Sequence, residues 1–207
     1  MRELSGRAGV ALIRGVLSIV LLVAAVHREA MANESVEAEQ LAQEGKARAS
    51  GGELHVQPMA GFGPGWSGDA QLFWTAPGAG AVLDLDLQLP KDSRWTLELE
   101  MTAAPDYGKI ELELDGNVIG LELEIPPPPG EEKGFRWTTL PRTWNGYSSK
   151  VEKGSADILE TLRPPQVLDG GEHRLRIKVV GKDERSTGYY VGVDRLVFHR
   201  VPPRPIN

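Results

Sequence analysis

The sequence predicts an all-β fold, a β-sandwich built from two antiparallel sheets, and three observations support this prediction. Between residues 83 and 179, apolar side chains recur at every second position in five separate segments. Such a segment buries one face and exposes the other, which is typical of an antiparallel strand at the surface of a core. The chain also contains 24 glycines and 15 prolines, which suits the many turns between short strands. No long helical period separates the segments, so a parallel α/β sheet is excluded.

The five alternating segments are predicted as strands whose apolar positions face the core. In chain order these positions are Leu83, Leu85, Leu87 and Leu89; Trp95, Leu97, Leu99 and Met101; Ile110, Leu112 and Leu114; Ile119, Leu121, Leu123 and Ile125; and Leu175, Ile177 and Val179. The sequence DGN at residues 115–117 predicts a tight hairpin, because glycine accepts the positive φ of such a turn. Residues 71–75 and 189–198 are apolar on both faces, as central strands are. Acidic outward rows on four segments and a basic row on the last predict charge pairing across the sheet surface.

Residues 1–32 have the three-part layout of a secretory signal peptide. Arg2, Arg7 and Arg14 precede an uncharged run at residues 15–26, and AMA at residues 30–32 is a small-x-small cleavage pattern. The run would form about 18 Å of helix, against a hydrocarbon core of about 30 Å. We therefore expect cleavage and a secreted, periplasmic or cell-envelope location, with no membrane span left after cleavage. An uncleaved membrane tether is the alternative.

The composition excludes several classes of function. The chain contains no cysteine, so it has no disulfide, no thiolate zinc site and no cysteine nucleophile. Loss of residues 1–32 would leave 19 basic and 27 acidic residues, a net charge of −8. A surface of that sign repels phosphate backbones and anionic lipid headgroups, so we expect no nucleic-acid partner and no peripheral membrane binding.

After the signal peptide the sequence predicts a single domain. Residues 33–35 form a short lead, residues 36–199 the sandwich domain, and residues 200–207 a C-terminal tail. By composition alone, the polar residues 33–52 are a linker or a short helix. Residues 126–172 break the two-residue period and are predicted as a long irregular loop. Long loops in compact domains are often functional, which makes this loop a candidate binding region.

The predicted loop carries an aromatic set with an amide, and this set is the candidate ligand-binding site. Its members are Trp137, Trp144, Asn145 and Tyr147. Sugars present apolar C–H faces that pack on aromatic rings, and side-chain amides hydrogen-bond their hydroxyl groups. The alternative is that these rings only attach the loop to the sandwich. The remaining tryptophans are predicted to lie in the core: Trp66, Trp74 and Trp95.

Five short passages along the domain are informative in their order. The sequence VEAE opens the domain at residues 36–39, YVGVDRLVF closes it at residues 190–198, and residues 65–74, 106–108 and 181–190 lie between them. The first and last passages resemble the opening and closing strands of galactose-binding-like jelly rolls, particularly carbohydrate-binding modules of families 6 and 35. The others are similar to a jelly-roll accessory domain that follows the catalytic part of bacterial proteins resembling glycoside hydrolase family 172. The resemblance covers nearly the whole sandwich domain and implies a jelly-roll fold that opens with a strand.

The resemblance also implies a structural calcium ion. In the carbohydrate-binding modules, the first and last strands commonly hold calcium through oxygen ligands, and the matching residues here are Glu37, Glu39 and Asp194. Calcium binds six to eight oxygens, and carboxylates from adjacent strands can supply several of them. The alternative is that the two glutamates are surface acids and that Asp194 caps a turn or pairs with Arg195.

The motifs that would indicate catalysis are incomplete. Residues 63–68 match G-x-G-x-x-G, but a strand pattern follows where a dinucleotide-binding site needs a helix. Residues 65–68 are one residue short of G-x-S-x-G. His55, His173 and His199 occur singly within strand patterns, which gives no indication of a catalytic base. Acidic residues occupy mainly outward positions, where surface charge explains them without a glycosidase pair.

The sequence therefore predicts an exported, non-catalytic binding module for a carbohydrate or glycoconjugate. It would act alone or beside a separate enzyme or envelope protein. Two alternatives remain open. The first is a structural or assembly protein of the cell envelope, and the second is a small glycosidase.

Overall fold

The structure is a computed structural model of the 207-residue chain, and it describes residues 33–125, 136–157 and 167–201. The predicted signal peptide therefore lies outside the described residues. Within the described ranges, no helix is both long enough and apolar enough to cross a membrane.

The described residues form thirteen strands and one short α-helix. In chain order the elements are β1 (Glu34–Glu37), α1 (Ala38–Gln43), β2 (Ala47–Ala49), β3 (Leu54–Pro58), two 3₁₀ turns (Ala60–Phe62 and Ser67–Asp69), β4 (Ala70–Trp74), β5 (Val82–Ala103), β6 (Gly108–Leu114), β7 (Asn117–Val118), β8 (Gly120–Ile125), β9 (Arg136–Pro141), β10 (Trp144–Asn145), β11 (Glu152–Asp157), β12 (Leu168–Lys182) and β13 (Val191–Arg200). The all-β fold predicted from the two-residue period is confirmed.

The strands form two layers that are joined through β5. The first half of this 22-residue strand pairs with β2 and β12, and its second half pairs with β11 and β13. The strand order is β10-β6-β12-β5-β13-β4-β3, with β1 also paired to β13, and every one of these ladders is antiparallel. The two predicted sheets are therefore layers of one continuous sheet that folds over on itself. Strands β8 and β9 form a separate two-stranded ladder.

A single apolar core fills the space between the two layers. Leu83 and Leu85 of the first layer and Leu97 and Leu99 of the second are completely buried, as the alternation predicts. Burying a leucine side chain contributes about 1.5–3 kcal/mol, so these rows hold the layers together. The three tryptophans predicted in the core are also buried: Trp66, Trp74 and Trp95.

The first strand and the last strand are neighbours, as the resemblance implied. In the ladder between β1 and β13, Val36 lies opposite Leu196 and Glu37 lies opposite Arg195. The polar segment that follows is a six-residue helix, α1, which buries Ala38 and Leu41. The strands extend slightly beyond the predicted domain limits of residues 36 and 199, since β1 begins at Glu34 and β13 ends at Arg200.

The prediction of an irregular loop at residues 126–172 is wrong for the part that the structure describes. This segment contains β9, β10, β11 and the start of β12, whereas residues 126–135 and 158–166 lie outside the described residues. Backbone N–H and C=O groups need hydrogen-bond partners, and they find them here on the edges of the sandwich. β10 pairs with β6, and β11 pairs with β5. The segment lacks the alternating pattern because edge strands bury little of either face.

The predicted charge pairing on the outer face of the first layer is confirmed. The Arg176 guanidinium donates to both carboxylate oxygens of Asp84, at 2.7 and 3.0 Å, and Arg174 donates to Asp86 at 2.8 Å. These pairs join β12 to β5 across the ladder in which the same residues lie opposite one another. The hydrogen bonds from Arg176 hold the pKa of Asp84 below its ordinary value.

This lowered pKa predicts a small dependence of stability on acid. Asp84 contributes stability above its unfolded-state pKa, and that contribution is lost as the pH falls through the lower folded-state pKa. We expect Asp84→Asn to reduce the free energy of unfolding at neutral pH by less than about 1 kcal/mol, because water screens the partly exposed Arg176. The difference from wild type should shrink below about pH 4 in urea unfolding curves. A difference that stays constant down to the acid limit would contradict this assignment.

Candidate functional site

Three segments meet at one end of the sandwich, which we call the loop end: residues 104–107, 144–147 and 183–190. Isolated bridges join Ala104 to Tyr147 and Tyr107 to Tyr190. Residues that are far apart in the sequence are thereby held together by the backbone. The result is a group of aromatic side chains at one end of the fold.

The first hollow lies at the loop end and has a volume of about 170 Å³. Its lining is mainly aromatic and aliphatic, and includes Met101, Ile110, Trp144, Asn145, Gly154 and Tyr190. A concave, mostly apolar surface with a few polar groups is the usual form of a small-molecule site. The Asn145 amide supplies such a polar group.

Asn145 and Tyr147 are held in place by their neighbours. The Asn145 amide donates to Asp183 Oδ2 at 3.0 Å, and its oxygen accepts from the Tyr147 backbone N–H at 3.2 Å. The Arg185 guanidinium donates to Asp183 at 2.8 Å and lies 4.4 Å from the centre of the Tyr147 ring. Hydrogen bonds from Arg185 hold the pKa of Asp183 well below its usual range. An amide has two hydrogens and two lone pairs, so Asn145 keeps hydrogen-bonding capacity for a ligand.

Trp144 both packs against the protein and lines the first hollow. It lies in β10 opposite Ile110 of β6, and its half-buried side chain contacts the core. The Arg142 guanidinium lies 5.2 Å from the centre of the ring. The structure therefore shows the loop attachment that was one interpretation of this tryptophan, while its place in the hollow is consistent with the other.

The structure brings together three of the four predicted ligand-binding residues: Trp144, Asn145 and Tyr147. The fourth, Trp137, lies in β9, where its backbone is opposite Glu124 of β8. Its side chain is outside the part of the structure that is described, and its role stays a prediction.

A second hollow, of about 240 Å³, was not predicted from the sequence. Its lining includes Gln57, Phe62, Phe73, Tyr107 and Thr187, and Phe62 is 47% exposed. Sequence reasoning treated strand β4 as apolar on both faces and overlooked its outward positions. The sequence signal that could have found this region is Gln71, a polar side chain within that strand.

A buried chain of hydrogen bonds supports the second hollow. The Trp66 indole donates to the Thr102 hydroxyl at 2.8 Å, and this hydroxyl donates to Gln71 Oε1 at 2.5 Å. The Gln71 amide donates to the Tyr107 hydroxyl at 3.0 Å and to Gln57 at 2.6 Å. Burial raises the pKa of Tyr107 far above its ordinary value, so the phenol stays neutral. Buried polar groups that are all hydrogen-bonded give a rigid support.

The predicted metal ligands form an acidic cluster at the edge between β1 and β13. Glu37 ends β1, Glu39 lies in the first turn of α1, and Asp194 lies in β13. Ser67 links two of them, since its hydroxyl donates to Glu37 Oε1 at 2.7 Å and its backbone N–H donates to Asp194 Oδ1 at 2.9 Å. The structure therefore links Glu37 and Asp194 through Ser67, and Glu39 lies close enough that, after the larger effect of its burial, the charges of both raise its pKa.

The acidic cluster contains buried acceptors that are not satisfied. Glu37 and Glu39 each have one buried oxygen without a hydrogen-bond partner among the described residues, whereas Asp194 Oδ2 is paired with the Lys153 ammonium at 2.6 Å. Burial raises the pKa of Glu39, and the charges of Glu37 and Asp194 raise it further. Burial also raises the pKa of Asp194. Unsatisfied buried carboxylate oxygens are costly, and a bound cation would relieve that cost.

The oxygen donors of the acidic cluster are of the type that calcium prefers, but their present positions do not form a calcium site. In the described ranges, no three acidic or histidine side chains are arranged as a preformed metal site. The available donors are all oxygens, which hard cations such as Ca²⁺ prefer. Side-chain movements would be needed for Glu37, Glu39 and Asp194 to share one ion.

Comparison with known proteins adds to this description. No protein-family model matches the chain, and no curated protein matches it. In fold, the chain is similar to part of a xanthan lyase from Paenibacillus, with 15% identity and a TM-score of 0.50. The match covers 79% of this chain but only 13% of the xanthan lyase chain. Together with the strand arrangement, this likeness confirms the antiparallel jelly-roll β-sandwich predicted from the sequence, and it shows the fold alone.

Two further solved structures are similar at a lower level. A family 35 carbohydrate-binding module from Clostridium thermocellum has 14% identity and a TM-score of 0.42, over 81% of this chain and 97% of that chain. The GH26-CBM35 β-(1,4)-mannanase of Podospora anserina has 14% identity and a TM-score of 0.43, over 84% of this chain and 28% of that chain.

Proposed function

We propose that the protein is an exported, non-catalytic module that binds a carbohydrate or glycoconjugate at the first hollow. The observation that carries this proposal is the composition of the hollow, in which Trp144 and Tyr190 lie beside the Asn145 amide. Aromatic rings pack on the C–H faces of sugars, and the amide can hydrogen-bond sugar hydroxyls. A separate enzyme or envelope protein would then benefit from being held near that glycan.

The size of the first hollow limits what it can hold. Its volume of about 170 Å³ is smaller than that of typical ligand pockets, which are about 300–1,000 Å³. We therefore propose that one sugar residue enters the hollow while the rest of the glycan stays in solvent. The hydrogen bonds that hold the Asn145 side chain in place reduce the entropy that is lost on binding.

The non-catalytic assignment follows from what surrounds the first hollow. Among the described residues that line it, none has a carboxylate or an imidazole. Glycosidases need a pair of carboxyl groups that flank the scissile bond. Asp183 has an acidic side chain that contacts the lining residue Asn145, and it is engaged by both Arg185 and Asn145. Its lowered pKa suits an ion-pair partner and not a proton donor.

We also propose that the acidic cluster binds a structural calcium ion. Glu37, Glu39 and Asp194 would hold it, because Glu37 and Glu39 each have a buried oxygen without a hydrogen-bond partner and the Asp194 side chain is completely buried. The ion would supply positive charge to a region where like charges now raise the pKa of Glu39. It would thereby join the start of the domain to its last strand.

The calcium proposal predicts a shift in thermal stability. A ligand that binds only the native state adds about 2.7 kcal/mol at a hundredfold excess over its Kd. We expect the melting temperature to rise when calcium is added to chelator-treated protein, and to rise less with magnesium, which needs a tighter octahedral site. Scanning fluorimetry in both ions measures this. An identical melting temperature in chelator and in calcium would contradict a structural ion.

The glycan proposal is tested with a glycan array. We expect the purified protein to bind one class of glycan, and to bind it equally well after Val56→Ala, a change at an exposed residue of β3. The same glycan should not be cleaved on prolonged incubation. A uniformly blank array would contradict glycan binding, and release of reducing sugar would contradict the non-catalytic assignment.

A further inference from the structure

Lys153 of β11 places its ammonium group inside the acidic cluster. Nζ donates a hydrogen bond to the Gly65 carbonyl at 2.6 Å. The same atom lies 2.5 Å from Glu100 Oε2 and 2.6 Å from Asp194 Oδ2. Both carboxylate contacts are ion pairs at hydrogen-bond distance. The Lys153 ammonium nitrogen thus has three oxygen neighbours. A group of oxygens in this arrangement attracts a cation.

The charges around Lys153 indicate which carboxylate its ammonium group neutralises. Arg195 commits two of its nitrogens to Glu100, at 2.9 and 3.0 Å. Among the described residues, Lys153 is therefore the cationic side chain in direct contact with Asp194. The Asp194 side chain is completely buried. Counting Glu37, Glu39, Glu100 and Asp194 against Lys153 and Arg195 leaves two negative charges uncompensated. A divalent cation would balance that excess.

We propose that Lys153 is a tethered cation that occupies part of this ion site and competes with a divalent ion for Asp194 and the Gly65 carbonyl. This inference rests on the proposed calcium site, and it identifies a residue that lowers the affinity of that site for calcium. An ion bound to Asp194 Oδ2 repels the Lys153 ammonium, which lies 2.6 Å from the same oxygen, because both groups are positively charged. Calcium binding therefore moves the Lys153 side chain away from Asp194.

Displacement of the Lys153 side chain would also affect the wall of the first hollow. Lys153 lies opposite Thr102 in the ladder between β11 and β5, and the next residue, Gly154, lines the hollow. The ammonium holds an edge strand onto the sandwich at this point. Its release would loosen the β11 wall of the hollow, so that ion binding and ligand binding become coupled.

The first test is calorimetric titration of calcium chloride into wild type, Lys153→Met and Lys150→Met. Methionine has a similar length and no charge. A monovalent and a divalent cation about 5 Å apart repel each other enough, even at the dielectric constant of water, to change affinity about tenfold. We expect Lys153→Met to bind calcium at least about tenfold more tightly than wild type. Lys150 is 75% exposed and pairs only with Glu152 at 3.5 Å among the described residues, so its variant should match wild type.

A second measurement needs no variant. In wild type, we expect calcium to speed hydrogen exchange at the backbone amides of residues 152–154, because the Lys153 tether is released. If calcium instead slows exchange in this stretch, or leaves it unchanged while binding elsewhere, the tether does not compete with the ion and the inference is overturned.

The outcomes separate this inference from the proposals on which it depends. Equal calcium affinity in wild type and Lys153→Met would overturn the competition and leave the calcium site standing. Absence of calcium binding in both proteins would overturn the site and the competition together. Neither result decides whether a glycan binds at the first hollow, which the array tests separately.

Discussion

Replacing Gly192 with alanine is expected to lower the free energy of unfolding by about 3 kcal/mol, the largest stability effect that we predict. An alanine Cβ at this position in β13 would overlap Gln71 Oε1 and lie 2.6 Å from the Tyr107 hydroxyl. Both groups belong to the buried hydrogen-bond chain, so neither can move aside without breaking a hydrogen bond. Either the chain breaks, which leaves buried polar groups unsatisfied at about 1–3 kcal/mol each, or the strands move apart. Urea unfolding followed by tryptophan fluorescence measures the loss.

Gly181→Ala is the matched control for this prediction. Gly181 also lies in a strand, β12, but a Cβ there would meet no atom within 4 Å. We expect this variant to stay within about 0.5 kcal/mol of wild type, as changes without a packing or hydrogen-bond consequence usually do. If both alanine variants lose the same stability, crowding by Gln71 and Tyr107 is not the cause.

Replacing Trp144 with alanine is expected to weaken binding of the array-selected glycan by at least about tenfold, which is about 1.4 kcal/mol. The ring supplies the largest aromatic surface in the first hollow, and Trp is among the residues that dominate binding energies in interfaces. Trp144→Phe keeps a smaller ring and should lose less. Affinity is measured by calorimetry at a temperature where every variant remains folded.

The same variant distinguishes the two roles of Trp144. Because its ring also contacts the core, Trp144→Ala should lower the melting temperature to some extent. If the melting temperature falls while the glycan affinity equals that of wild type, the ring only attaches β10 to the sandwich. The first hollow would then not be the glycan site.

Much of the fold could be predicted from the sequence because its cause is local. In β5, every second residue from Leu83 to Leu89 is apolar, and the period of a strand puts all of these side chains on one face. The same reasoning identified β6 and β12. The acidic and basic outward rows predicted charge pairing across the sheet surface, and the structure shows it between Asp84 of β5 and Arg176 of β12. Resemblance added the adjacency of β1 and β13, which periodicity alone does not show.

The edge strands and the buried hydrogen-bond chain could not be predicted from the sequence, because they depend on contacts between residues that are far apart in the chain. β11 has no alternating pattern, and it is a strand because β5 offers unpaired backbone groups beside it. Gln71 is buried because Thr102 and Tyr107, each about thirty residues away, satisfy its amide.

By itself, the sequence determined that the chain folds as a jelly-roll sandwich with acids on its first and last strands. Only the tertiary structure decided that Lys153 lies among those acids and that Trp144, Asn145 and Tyr147 meet residues 183–190 at one end. The physical reason is that side-chain period depends on the residues next in sequence, whereas the convergence of charges and rings depends on which distant strands share an edge.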